Sequence, residues 1–174
     1  MLDKSTVEEL ILARAKKPRF TDFHQYFLEN PKVIPFLVDL SLSQKAHPVP
    51  AYSAWLVVHI TKANPVLLAP FQEQLTAGLL QTTNHSIQRS LFVVLLELPI
   101  KRKFKGELLN YCFEVFARPD TAVANRVYAL YHLKRFVKIY PEIDREVRSI
   151  IEFLDSHEMK PALRVGIRNY FKRT

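Results

Sequence analysis

Proline cuts this 174-residue chain at nearly even intervals. Pro31, Pro65 and Pro99 each follow a break in helical patterning and lie 34 residues apart, and Pro141 follows after 42. Proline lacks a backbone N–H and biases the residue before it away from the α region, so a helix ends at or before that residue. Between the breaks the apolar residues recur with the helical period, and no segment alternates as a half-buried strand would. A second register runs through the same chain. Ala54, Ser90, Val127 and Val165, each followed by an apolar pair or a glycine and an apolar residue, are spaced 36, 37 and 38. A helix pair recurring at this interval cannot bury its apolar stripe alone and is stabilised by stacking on its neighbours.

The elements follow from the pattern. Ser5 with Glu8 has the form of a capping box ahead of Leu10, Ile11 and Leu12. Further helices are expected over 20–29, 33–42, 51–62 and 66–80. Asn84 is the expected cap of a helix through Leu98, and Phe104 to Phe116 carries an apolar stripe. Asp120 is the expected cap of a long helix to Ile139. Ile143 to Leu154 gives another stripe, and Pro161 opens the final helix. This gives about nine helices in one domain, 1–174, with an N-terminal helix and turn over 1–19. Helix pairs are expected at 20–43, 48–81, 84–117 and 120–156, with a capping helix at 160–174. Residues 43–100 hold only Lys45, Lys62, Glu73, Arg89 and Glu97 as charged side chains, as befits repeats covered on both sides. On these breaks and registers the chain resembles the HEAT-like branch of the armadillo-type helical repeats. That resemblance implies an all-α, right-handed α-α superhelix and, by analogy of fold, a binding role.

Chemistry is constrained as tightly. Only Gly78, Gly106 and Gly166 are present, against about 12 expected from average usage, which excludes glycine-rich phosphate loops. Cys112 is alone, so thiolate metal sites and internal disulfides are excluded, and its place on an apolar stripe makes it an unreactive core thiol. His24, His47, His59, His85, His132 and His157 include no pair three or four apart, and His59 and His132 sit in core-type runs as structural residues. Glu142, Asp144 and Glu146 follow Pro141, where they serve the helix dipole rather than acid–base catalysis. No metal, cofactor or catalytic residue is expected. There is no secretory pattern, and the apolar runs fall short of the about 18 residues that a membrane span needs, so the expected location is cytoplasmic.

Charge is the remaining signal. The net charge is +8, and residues 88–174 carry 17 basic against 10 acidic side chains, a net +7. Two basic groups stand out as candidate contacts for an anionic partner. Lys101, Arg102, Lys103 and Lys105 occupy a turn, and Arg164, Arg168 and Lys172 lie at i, i+4 and i+8 on the last helix. Arg126 and Lys134, with Arg135 and Lys138, would extend them into one positive ridge. In helix content and basicity the chain also resembles the bacterial alkylated-DNA glycosylases. Their tryptophan-and-aspartate site has no counterpart here, Trp55 being the sole tryptophan and set among apolar neighbours. The expected role is therefore a scaffold or adaptor for a protein partner, as a monomer or weak homodimer. The alternative is salt-dependent, sequence-independent nucleic-acid binding through the basic half.

Overall fold

A computed structural model describes residues 3–15, 23–155, 157 and 159–172. Among these residues the chain forms ten α-helices joined by short turns, five of them 3-10, and no strand. The chain divides into two compact units, 1–100 and 101–174.

The first unit contains α1 (Lys4–Ala15), α2 (Phe23–Glu29), α3 (Ile34–Ser41), α4 (Val49–Ala63), α5 (Gln72–Gln81) and α6 (His85–Glu97). Helix α4 is central: α1, α2, α3 and α6 all pack on it, and α5 packs on α6. Leu37, Leu40, Leu56, Ile60, Leu75, Leu79, Leu91 and Phe92 are fully buried there. Hydroxyls inside this core are satisfied by their own helices. Ser53, Thr61 and Thr76 each donate to the carbonyl four residues earlier, at 2.7, 2.7 and 2.8 Å.

Three of the four proline breaks share one backbone geometry, whereas Leu98, before Pro99, is extended with φ −102° and ψ 151°. Asn30, Asn64 and Tyr140 precede their prolines with φ of −124°, −152° and −130° and ψ of 63°, 88° and 79°. All three have left the helical region, as steric conflict with the following pyrrolidine ring requires. Each proline then opens a 3-10 turn, where a missing N–H costs nothing.

Several expectations are corrected. The stretch 66–80 is not one helix: 3-10 turns occupy Pro65–Leu67 and Ala69–Phe71, and α5 begins only at Gln72. Pro70 is the reason, because inside a continuous helix it would remove a hydrogen bond and clash with the preceding turn. Helix α1 is capped by Asp3, whose carboxylate accepts from the backbone N–H and hydroxyl of Thr6, both at 2.8 Å; Ser5 and Glu8 do not form the box. Glu8 instead pairs with Lys45 at 2.7 Å. The expected cap at Asn84 is present, its side chain accepting from the N–H groups of Ser86 and Ile87. Residues 20–22, expected at the start of the second helix, lie outside the described residues, as does Arg173.

The second unit contains α7 (Lys105–Ala117), α8 (Val123–Val137), α9 (Asp144–Glu152) and α10 (Pro161–Phe171). Helix α8 is its centre, flanked by α7 and α10. Asp120 does not cap it; the cap position is Ala122, and Asp120 is exposed beside Arg118 at 3.6 Å. The helix stops at Val137, short of Ile139. Leu130, Leu133 and Phe136 of α8 are fully buried, with Phe116 of α7 and Leu163 of α10.

Two glycines of this unit have opposite environments. A Cβ on Gly166 would stand 3.1 and 3.2 Å from the two methyls of Val127, so α10 reaches α8 by virtue of the missing side chain. A Cβ on Gly106, in the first turn of α7, would meet nothing within 4 Å. Crowding a β-branched neighbour costs about 1–3 kcal/mol and outweighs the about 1 kcal/mol that alanine gains over glycine in a helix. Gly166→Ala is therefore expected to destabilise by about 1 kcal/mol. Gly106→Ala is expected to stabilise by about 0.5–1 kcal/mol. Urea denaturation of the two variants checks both signs, and equal shifts would contradict the packing argument.

Candidate interaction surface

Helix α10 presents two unlike faces. Leu163, Gly166, Ile167 and Tyr170 turn inward and are buried, while Arg164, Val165 and Arg168 are exposed, followed by exposed Lys172. The outer face mixes cations with apolar surface: Val165 is 49% and Phe171 45% exposed, and Phe153, just past the end of α9, is 86% exposed.

The helix is held firmly from beneath. The Tyr170 hydroxyl donates to one carboxylate oxygen of Asp144. The other oxygen accepts from Arg148 Nε at 2.6 Å. The Arg148 guanidinium also lies 4.8 Å over the ring of Phe171. The Tyr170 bond, then Arg148, hold the Asp144 carboxyl below the usual carboxylate range. Burial, then the bond to Asp144, push the Tyr170 phenol up. At the C-terminal end of α10, Lys134 Nζ donates to the carbonyls of Asn169 and Lys172 at 2.7 and 2.8 Å, and Asn169 Nδ2 donates to the Tyr131 hydroxyl at 3.1 Å. A cation at the negative end of the helix also suits its dipole.

The structure sorts the candidate cations. Arg164, Arg168 and Lys172 are exposed together, with Arg164 Nε donating to the Met159 carbonyl at 2.8 Å. Lys101, Arg102 and Lys103 are exposed around the 3-10 turn Arg102–Phe104, with Lys103 Nζ 5.2 Å over the Phe104 ring, and Lys105 is half-buried at the start of α7. Arg126 does not belong to any surface ridge. It is 1% exposed, and its Nε donates to the Phe116 carbonyl at 2.9 Å in the last turn of α7. Lys134 is half-buried and spends its ammonium on the two carbonyls named above. The expected ridge therefore loses Arg126 and Lys134 as contacts, while near the end of α8 Lys138 is exposed and Arg135 half-buried. Neither reassignment was visible from spacing, since both depend on bonds made across the tertiary fold.

Cys112 is fully buried, and burial pushes its thiol far above the ordinary range. His132 is fully buried. His59 is half-buried, its ring 4.0 Å from that of half-buried Trp55 and 5.5 Å from that of His24. Burial, reinforced by the charges of His24 and Lys62, lowers the His59 pKa. The first unit also holds a cleft of about 390 Å³ between the ends of α3 and α5 and the starts of α4 and α6, lined by Ser41, Gln74, Gln81, Thr83 and Asn84 among others. Part of its polar lining is engaged: Ser41 and Ser43 donate to helix carbonyls at 2.7 and 2.8 Å, and Asn84 caps α6. No group of three or more His, Cys, Asp or Glu among the described residues is placed to hold a metal ion. No helix among them is long and apolar enough to cross a membrane.

Comparison with known protein families now assigns the architecture. A family model described as a HEAT repeat domain matches residues 25–174, and the chain belongs to that family. Its all-α helical repeat fold agrees with the helix packing described above. No curated protein and no solved structure matches the chain.

Two predictions follow from these contacts. Replacing Arg126 by methionine keeps the volume but leaves the Phe116 carbonyl without its donor, a loss of about 1–3 kcal/mol in thermal or urea unfolding. For Asp144 the folded pKa lies below the unfolded value of about 3.9. Its stabilising contribution is therefore complete above that value and is lost as pH falls through the lowered folded pKa. Asp144→Asn should unfold more easily than wild type at neutral pH, the gap closing as pH falls below the unfolded value. A gap independent of pH would contradict the ionic character of the contact.

Proposed function

We propose that this HEAT repeat domain is a non-enzymatic adaptor that binds another protein through the surfaces of its stacked helices. The observation that carries the reading is the family match over residues 25–174, because repeat arrays supply extended binding surfaces and have no centre about which a catalytic pocket must form. The side chains with chemical potential support it. Cys112 and Arg126 are interior, and the Asp144 carboxylate is spent on Tyr170 and Arg148. The warrant from fold to role is one of analogy, so the test must find the partner itself.

The alternative, sequence-independent nucleic-acid binding, loses part of its footing with the ridge, since Arg126 and Lys134 are taken up by carbonyl bonds. Each phosphate contact adds to the salt dependence of binding, and fewer free cations mean a shallower slope. The discriminating experiment is affinity capture from the native host with the full chain, nuclease treatment, and cross-linking mass spectrometry. A stoichiometric protein that survives nuclease and cross-links to defined helices is the expected result. Material recovered only through nucleic acid, or no protein above background, overturns the reading.

A further inference from the structure

We propose that the outer face of α10 docks an acidic amphipathic helix of a partner protein. Its apolar side would seat on Val165 and Phe171, and its carboxylates on Arg164, Arg168 and Lys172. This inference rests on the adaptor reading and narrows it to one surface and one ligand chemistry.

Charge is the first argument. The stretch from Met159 to Lys172 contains Lys160, Arg164, Arg168 and Lys172 and no carboxylate. It belongs to a unit, 101–174, that has 16 lysines and arginines and 9 aspartates and glutamates, which leaves +7. A second copy of this chain would bring the same positive face to the contact, and like charges brought together oppose association. An acidic ligand is attracted from a distance and pairs on arrival.

Exposed apolar surface is the second argument, and it selects protein over nucleic acid. Val165 and Phe171 stand 49% and 45% exposed among the cations. Phosphate contacts would leave those side chains wet, whereas an amphipathic helix removes their apolar area from water. One face of the Phe171 ring is already covered by the Arg148 guanidinium, so a base has only the other on which to stack.

Geometry is the third. Arg164 and Arg168 stand about 6 Å apart along the axis of α10, and Lys172 follows as the C-cap residue just past Phe171. A partner helix with carboxylates at the same spacing meets them without bending. The platform needs no ordering on binding, because Asp144, Lys134 and Tyr131 already fasten α10. Preorganisation of this kind removes a cost that a flexible segment would pay.

The test uses the full chain and two fluorescein-labelled synthetic peptides of about 15 residues, long enough for a marginal helix. One segregates glutamates and leucines to opposite helical faces. The other has the same composition with the faces scrambled. Fluorescence anisotropy is expected to show tighter binding of the segregated peptide. The double variant Arg168→Glu with Lys172→Glu should weaken it about tenfold or more, mainly by raising the salt-sensitive part of the free energy. Val165→Ser, which leaves every cation in place, should weaken it without changing the salt dependence. Thermal unfolding of each variant establishes that the fold is intact. Equal binding of both peptides, indifference to the charge reversal in a folded variant, or easier displacement of the peptide by duplex DNA than by unlabelled peptide would overturn the proposal. A native partner whose cross-links avoid α10 would reject this surface and leave the adaptor reading standing. Recovery of nucleic-acid-dependent material alone would reject both.

Discussion

A two-helix hairpin of this size has one apolar stripe more than it can cover, and the rest of the structure answers that deficit. In the first unit α4 receives α1, α2, α3 and α6; in the second, α8 receives α7 and α10. The side chains sealed in these contacts are mostly aliphatic or phenylalanine, with few polar atoms to satisfy, and the buried Ser53, Thr61 and Thr76 bond to their own helices. What polar specificity exists is concentrated at helix ends, where Asp3, Asn84 and Lys134 meet backbone groups that the helices leave unpaired.

Much of the architecture was legible because it is written in local rules. The steric conflict between a proline and the residue before it operates within a dipeptide, so the breaks at Pro31, Pro65 and Pro141 stand where the sequence puts them. The Asn84 cap and the Pro161 start are equally local. The misreadings have physical causes. At the N-terminus Asp3 and Ser5 are both competent caps, and the carboxylate reaching Thr6 prevailed. Pro70 is as local a signal as the other prolines, and it interrupts the apolar period that runs from Val66 to Leu80. Asp120 offered the right chemistry two residues too early.

The surface was less legible than the fold, since a cation counted in the sequence has no stated destination. Arg126 follows the same spacing as any exposed arginine, yet its guanidinium closes the end of α7. Lys134 reaches a helix 35 and 38 residues further along the chain. The contact of Tyr170 with Asp144 spans 26 residues and left no mark in either residue's neighbourhood. What remains on the outside after these bonds are drawn is a smaller positive surface than composition implies, interleaved with aliphatic and aromatic groups.

The contact between Gly166 and Val127 ties two positions 39 residues apart into a single steric unit. Neither can drift alone: a larger residue at 166 demands a trimmed one at 127, and the two helices then move closer or apart together. Among descendants of this sequence the volumes at these sites should thus be inversely related, and that trade would set how far α10, with its cations, stands from the centre of its unit.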